Sequence, residues 1–416
     1  MTSLLLEAER CLLCKKPRCK SNCPINTPIP KIMKLYKENK LTESGSVLFE
    51  NNPLSIICSV VCPHDEQCKG NCVKGIDGQP ISFPKIEYEI SLKYLKSLRP
   101  KITKKNGKRI AIVGSGPAGI TVAIILAKKG YNITIFEKKE NIGGVLKYGI
   151  PEFRLSREIL DYYEEYLINL GVKIRFNTLI GKVITINKIF NDGYSAIFIG
   201  TGVWDAKTIG IKGESLGNVH YAIDYLKNPK VFRLGEKVNI IGAGNVAIDA
   251  ARSAIRCGVK EVNIFFRDAR KKMEANKIEI DNAEKEGVNF NFYKNPIEIL
   301  DEGVIFSDVV VKKNKYGNSE FKNIPNSARL YLADSTIIAI GQRPRNNITS
   351  NTEGLNTTID GLIITDKYGY TSRKGVFACG DVVNGSKTVV EAINEAKIVA
   401  TSIDEFCKDR WKEKNN

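Results

Sequence analysis

The chain has 416 residues, 43% hydrophobic and 26% charged, apolar material for about three domains at roughly 150 residues each, which excludes a disordered scaffold. No apolar run approaches the ~18 residues of a membrane span, and the opening MTSLLLEAERC puts Glu7, Glu9 and Arg10 straight behind three leucines, too short and too acidic for a secretory signal. Lys and Arg number 63 against 46 Asp and Glu, a net charge of +17, but without a basic stripe or a zinc-finger spacing, so a soluble, cytoplasmic protein binding neither nucleic acid nor membrane is expected.

The first element is a cysteine module. Eight of the eleven cysteines lie between Cys11 and Cys72, and Cys257, Cys379 and Cys407 are scattered singly over the rest. Residues 1–106 read as helical and loop-rich, with 18 Lys and Arg against 10 Asp and Glu, a surplus that could attract an acidic redox partner or simply keep the surface solvated. With no export signal, metal explains the crowding better than disulfides do. The first group, Cys11, Cys14, Cys19 and Cys23, is followed by Pro24, and the second is Cys58, Cys62, Cys68 and Cys72. Zinc ribbons pair two CxxC knuckles, and here only Cys11 and Cys14 form one. A dense run ending in Cys-Pro is ferredoxin-like spacing, so two [4Fe–4S] clusters are expected. His64 reads as a solvated loop residue rather than a ligand.

The pattern then turns α/β. Arg109 to Val113 is a buried strand, Gly114 to Gly119 a turn, Ile120 to Lys129 a helix ended by Gly130, and Asn132 to Phe136 a second strand that delivers Glu137 eighteen residues after Gly119. Glycines permit a tight turn and close approach, a helix N-terminus faces a pyrophosphate, and the carboxylate can take a ribose hydroxyl: a dinucleotide fingerprint in its proper context. Ala196 to Ile199 leads into Gly200-Thr201-Gly202. The fingerprint then repeats, with Val238 to Ile241, Gly242-Ala243-Gly244-Asn245-Val246, a helix ended by Gly258, and Val262 to Phe266 before Arg267-Asp268. Two nucleotide folds in one chain suggest hydride transfer between two cofactors. Near the end of the chain Gly380-Asp381 precedes a helix starting at about Thr388, where Asp381 either binds a polyol hydroxyl or caps the helix.

Together the two cysteine groups, Val113 to Gly119, Gly143-Gly144 with Tyr148 to Leu155, Gly242 to Arg252 and Gly380-Asp381 resemble the small, electron-input subunit of bacterial glutamate synthase and its relatives. Those relatives include the N-terminal half or flavin subunit of dihydropyrimidine dehydrogenase and the flavin subunits of NAD(P)H:ferredoxin oxidoreductases. The resemblance implies a helical double iron–sulfur domain ahead of two Rossmann-like domains, the NAD(P) domain inserted in the FAD domain. The expected bounds are residues 1–106 for the clusters, 107–225 and 341–416 for FAD, and 226–340 for NAD(P)H. It implies an FAD site of Gly114, Gly116, Pro117, Ala118, Gly119, Glu137, Gly144, Thr201, Gly202, Gly380, Asp381, Thr388 and Val389. An NAD(P)H site would comprise Gly242, Gly244, Asn245, Val246, Arg267, Asp268 and Gly341. Tyr148, Gly149, Ile150 and Pro151 would lie where nicotinamide meets flavin.

By the family pattern Cys11, Cys14, Cys19 and Cys72 hold one cluster and Cys23, Cys62 and Cys68 the other, with Glu87 as fourth ligand and Cys58 spare. Family members that use NADPH tend to carry paired arginines where this chain has Arg267-Asp268; an acid there favours the NAD ribose and tips the expectation to NADH, while Arg270, Lys271 and Lys272 nearby leave NADPH open and Asp268 could instead cap a turn. No paired redox cysteine supports a disulfide reductase, and Cys379 reads as packing. The implied activity is oxidation of NAD(P)H with electrons leaving through FAD and the clusters to a second, FMN/iron–sulfur subunit or to ferredoxin. No amidotransferase nucleophile or FMN barrel appears, which places the terminal reaction on another chain. A glutamate synthase-like role is the first expectation; the alternatives are the flavin subunit of an NAD-dependent dihydropyrimidine dehydrogenase or a free-standing NAD(P)H:ferredoxin oxidoreductase.

Overall fold

The computed structural model describes residues 3–100, 103–313 and 319–415. The chain opens with helices α1 (Ser3–Glu9), α2 (Ile29–Lys37), α3 (Leu41–Asn51), α4 (Ser55–Val61) and α5 (Phe83–Ser97). In α2 the apolar residues fall at Ile29, Ile32, Met33 and Tyr36, the spacing of one helix face, and all four are buried. They join Leu48, Phe83, Ile86 and Ile90 in a core that also takes in Cys68, with Cys11, Cys19 and Cys72 packed on its edge.

Then come β1 (Arg109–Val113), α6 (Pro117–Lys128), β2 (Asn132–Phe136), α7 (Arg157–Asn169), β3 (Lys173–Arg175) and β4 (Ala196–Ile199). The inserted stretch holds β5 (Val219–Tyr221), β6 (Lys237–Ile241), α8 (Asn245–Arg256), β7 (Glu261–Phe266), α9 (Lys277–Lys285), β8 (Asn289–Phe292), β9 (Lys294–Leu300), β10 (Gly303–Lys313), β11 (Ser319–Asn323), β12 (Arg329–Leu332) and β13 (Ser335–Ile338). Two last elements return to the first sheet: β14 (Val376–Ala378) and α10 (Val389–Asn415).

The first sheet runs β14–β4–β1–β2–β3 and the second β5–β13–β6–β7–β8, each with parallel pairing throughout. Near-continuous burial along β1, β4 and β6 is what strands covered on both faces require. Each fingerprint helix ends in the same way. Gly130 (φ +88°) and Gly258 (φ +97°) take the left-handed conformation, and the next residues, Tyr131 and Val259, donate back to Leu126 and Ala254 at 3.2 and 3.1 Å, closing Schellman caps. An antiparallel ribbon, β9–β10–β11 with β12 also on β10, completes the inserted part.

The chain divides into two units: Met1–Lys147, Glu152–Val203 and Pro344–Asn416 in one, Tyr148–Pro151 and Trp204–Arg343 in the other. The second begins earlier than the sequence suggests, because Val219–Tyr221 pairs with β13 as an edge strand of the second sheet. In the first unit the cysteine module and the first sheet pack as one body. Tyr163 Oη on α7 donates to Pro53 O at 2.7 Å, Lys397 Nζ on α10 donates to Asn51 O at 2.6 Å, and the Phe49 and Tyr166 rings meet edge to face at 5.5 Å. Helix α10 lies along α6.

Candidate functional site

Each glycine turn is built from its own strands. The amides of Gly114 and Gly242 donate to Phe136 O and Phe265 O at 2.9 and 3.0 Å, and Val113 O and Ile241 O accept from Gly200 and Ala339 at 2.9 and 2.8 Å. Gly114 (φ +97°) and Gly242 (φ +133°) sit where side chains are strained, and a Cβ would lie 2.7 Å from Gly200 O and 2.2 Å from Ala339 O. A Cβ on Gly119 would come 2.0 Å from Gly114 O, which fixes how closely α6 packs on the turn. Gly116 (φ −71°) and Gly244 (φ −83°) differ: their backbone suits any residue, and a Cβ would meet nothing nearer than Gly200 O at 3.9 Å at the first and nothing within 4 Å at the second. Neither glycine is required by the protein's own packing. What a side chain would fill there is the ground in front of a helix N-terminus where a pyrophosphate lies, so both turns fit a dinucleotide.

Around the first turn, Pro117 opens α6, Ala118 is buried, and Gly144 (φ +53°) approaches so closely that a Cβ would be 2.9 Å from Gly116 Cα. Glu137, 6% exposed, accepts on Oε2 from Ser115 N–H (2.9 Å) and hydroxyl (2.6 Å) and on Oε1 from Lys139 N–H (2.9 Å). Thr201 and Gly202 (φ +67°) follow the C-terminal end of β4. Gly380 (φ +75°) donates its N–H to Glu395 Oε2 at 2.8 Å. Asp381 does not cap its own helical turn; its Oδ1 accepts from Lys387 N–H at 3.2 Å, and burial pushes its carboxyl up from the usual range to about 6. Thr388 and Glu391 form a capping box ahead of Val389, the first residue of α10, with Thr388 N–H and hydroxyl donating to Glu391 Oε2 at 2.9 and 2.5 Å. Cys379 is buried beside Glu395, as packing requires.

Around the second turn, Asn245 Oδ1 accepts from Asn276 N–H at 2.9 Å, Val246 packs on the core, and Gly341 (φ +104°) accepts at its carbonyl from Lys207 N–H at 3.0 Å. Arg267 is exposed and lies over the Phe321 ring at 4.5 Å. Asp268 is buried, with Oδ1 accepting from Ala269 N–H at 2.7 Å. Tyr148, 6% exposed, ends a short helical turn, Val145–Tyr148, and Tyr148–Pro151 groups with the second unit while the chain on either side belongs to the first.

The cysteines gather into two sets. Cys11, Cys14, Cys19 and Cys72 feel one another electrostatically: burial first, then Cys72, Cys11 and Cys14, pushes the Cys19 thiol up to about 11. The second set surrounds a cavity walled by Cys23, Cys58, Cys62, Cys68 and Glu87. Burial drives the Cys68 thiol and the Glu87 carboxyl well above their ordinary ranges, and Glu87, 6% exposed, lies within electrostatic reach of Cys58, Cys62 and Cys68. Cys68 also senses Cys19, so the two sets adjoin. Sets of thiols are the donor type that iron–sulfur clusters take, while among the described residues no three such side chains close on a point for a single ion. Metal binding at such thiols must release their protons, so it works against the burial that raises Cys19 and Cys68.

The wall of this cavity includes the cysteine read as spare and side chains not singled out from the sequence. Cys58, 4% exposed, stands in the wall beside the expected ligands. Asn52 and Val390 line it too. His64, read as solvated, is instead partly buried in that wall, with Nε2 3.0 Å from Cys58 O and its pKa lowered by burial. The remaining cysteines make no pair: Cys257 is exposed on the second unit, and Cys379 and Cys407 are buried in the first.

Residues 79–193 and 108–396 match the family model of pyridine nucleotide-disulphide oxidoreductases, and residues 2–96 match the 4Fe-4S cluster domain, domain II, of dihydropyrimidine dehydrogenase. The glutamate synthase [NADPH] small chain of Escherichia coli (strain K12) is 31% identical over 95% of this chain and 90% of its own length. The NADPH-Fe(3+) oxidoreductase subunit beta of Geobacter sulfurreducens (strain DL-1 / KN400) is 31% identical over 94% of this chain and 64% of its own. Among solved structures, Mycobacterium tuberculosis FprA in complex with NADPH shares the fold at a TM-score of 0.64 and 16% identity, over 74% of this chain and 86% of that one. No helix among the described residues is long and apolar enough to cross a membrane.

Proposed function

The chain belongs to the glutamate synthase small-chain family of pyridine nucleotide-disulphide oxidoreductases with an iron–sulfur domain, and we propose that it takes electrons from NADH through FAD and two [4Fe–4S] clusters to a second redox protein. It is an oxidoreductase whose domains are those of a flavin, a pyridine nucleotide and iron–sulfur clusters. When bound, FAD supplies the conversion of a two-electron hydride donor into one-electron steps.

The protein's own residues supply binding and spacing. The bare ground at Gly116 receives the FAD pyrophosphate, Glu137 its ribose and Asp381 its ribityl chain, while Gly244 does the same for the nicotinamide nucleotide. Cys11, Cys14, Cys19 and Cys72 hold one cluster; Cys23, Cys62, Cys68 and Glu87 hold the other. Tyr148 to Pro151 line the approach of nicotinamide to flavin. The acid after Arg267 favours a free ribose hydroxyl over a 2′-phosphate, although the relatives reported above are named for NADPH.

One observation carries the proposal. Val390 stands in the wall of the second cysteine cavity, directly after Thr388 and Val389 of the flavin site, so the N-terminus of α10 serves both centres. A partner is proposed because relatives of this chain are named as a small chain and a subunit beta. The test is anaerobic purification from the native cells followed by NADH addition. Bleaching of flavin and cluster absorbance together, with a second redox subunit co-purifying, is expected. A large glutamine-hydrolysing partner establishes the glutamate synthase role, a smaller FMN-barrel partner the pyrimidine one, and a lone chain that reduces ferredoxin a free-standing reductase. Flavin that bleaches while the cluster absorbance stays oxidised overturns the electron route.

A further inference from the structure

Asn52 follows the last residue of α3 in an extended conformation (φ −144°, ψ 101°), is 1% exposed, and lines the second cysteine cavity. Its amide orientation is fixed from one side: Oδ1 accepts from Leu54 N–H at 2.9 Å, so exchanging the oxygen and nitrogen would set two donors face to face. The backbone is held as well, since Asn52 N–H donates to Leu48 O at 2.7 Å and its carbonyl accepts from Ser55 at 3.1 Å. Yet Nδ2 is buried and has no hydrogen-bond partner in the protein. A buried amide donor without a partner costs free energy, and the fold spends three hydrogen bonds holding this one still.

We infer that Asn52 donates a hydrogen bond from Nδ2 to a sulfur of the second cluster and thereby raises that cluster's reduction potential. Reduction adds negative charge to the cluster, and a donor on its sulfur stabilises the reduced form more than the oxidised one. Asn52 is therefore a tuning residue, setting how readily the centre whose wall includes Val390 accepts an electron. The inference rests on the reading of this cavity as the seat of the second cluster.

The test is EPR-monitored redox titration of the purified holoprotein against Asn52→Ala and Asn52→Asp. The aspartate keeps the acceptor for Leu54 N–H while replacing the donor, and so preserves the turn. One of the two cluster potentials is expected to fall in both variants, by about a tenfold change in the reduction equilibrium, ~59 mV for one electron, with the other unmoved and iron content retained. Wild-type protein labelled with nitrogen-15 asparagine should also show hyperfine coupling from a side-chain amide on that cluster. Unchanged potentials with full iron, equal shifts of both clusters, or no such coupling overturn the inference. A wild-type protein that binds only one cluster overturns the seat of the second cluster itself, so the two failures are told apart.

Discussion

The two kinds of glycine in the first turn should respond to the same added methyl group in opposite ways. At Gly116 the backbone conformation suits alanine, and the nearest atom to a new Cβ is Gly200 O at 3.9 Å. Alanine there gains about 0.4–1 kcal/mol by restricting the unfolded chain and loses a similar amount as a poorer N-cap than glycine, so flavin-free stability should stay within about 1 kcal/mol of wild type. At Gly119 the Cβ would sit 2.0 Å from Gly114 O, a backbone atom that cannot swing aside. Helix α6 must lift off the turn, at a cost on the order of 3 kcal/mol or more. The assay pairs urea denaturation of flavin-free protein with the flavin-to-protein ratio after anaerobic purification. Gly116→Ala should be stable but depleted of FAD, and Gly119→Ala unstable. A Gly116→Ala protein that keeps its full flavin would refute the reasoning, because the pyrophosphate would then not cross that glycine.

Glu87→Ala should lose half the iron under anaerobic conditions and Cys58→Ala none; iron loss in the Cys58 variant reverses the ligand assignment. Asp381 carries a folded-state pKa of about 6 against an ordinary value of 3.8, so its contribution to stability is full below about pH 4 and is lost as the pH rises through 6. Flavin-free Asp381→Asn should therefore exceed wild type by up to about 3 kcal/mol at pH 8 and by roughly half that at pH 5, read from urea midpoints; a gap that does not widen with pH contradicts this. Asp268→Asn keeps the acceptor for Ala269 N–H but removes the charge facing a 2′-phosphate, and should lower the NADH-to-NADPH ratio of kcat/KM about tenfold; a wild type that prefers NADPH rejects the premise.

Features written locally in the chain were legible. The glycine turns and their closing caps each span a few consecutive residues, so Gly114, Gly242, Gly130 and Gly258 announce themselves. Val219–Tyr221 did not, being three half-buried residues with no periodicity, whose partner strand β13 comes much later in the chain. The cavity of the second cysteine set was legible only in its thiols and Glu87. Asn52 belongs to it through a turn after α3 and Val390 through a helix at the far end of the sequence, and no spacing rule joins them. His64 was misread because its desolvation comes from folding around Cys58, not from its neighbours in sequence.

The route of the chain through its two units also sets an order of manufacture. On a ribosome the cysteine module and strands β1 to β4 emerge early, but β14 and α10, which finish that unit, follow only after the whole inserted unit has been made. About 190 residues separate Ile199 from Val389, on the order of 10–40 s of synthesis at ~5–20 residues per second. Through that interval α6 lacks the helix that covers it and the second cysteine cavity lacks the wall that Val390 supplies. The inserted unit, contiguous apart from four residues, can fold in the meantime. On the proposed seating of a cluster there, iron delivered before release would meet an open cavity, and cluster assembly would be completed only with the arrival of the C-terminal helix.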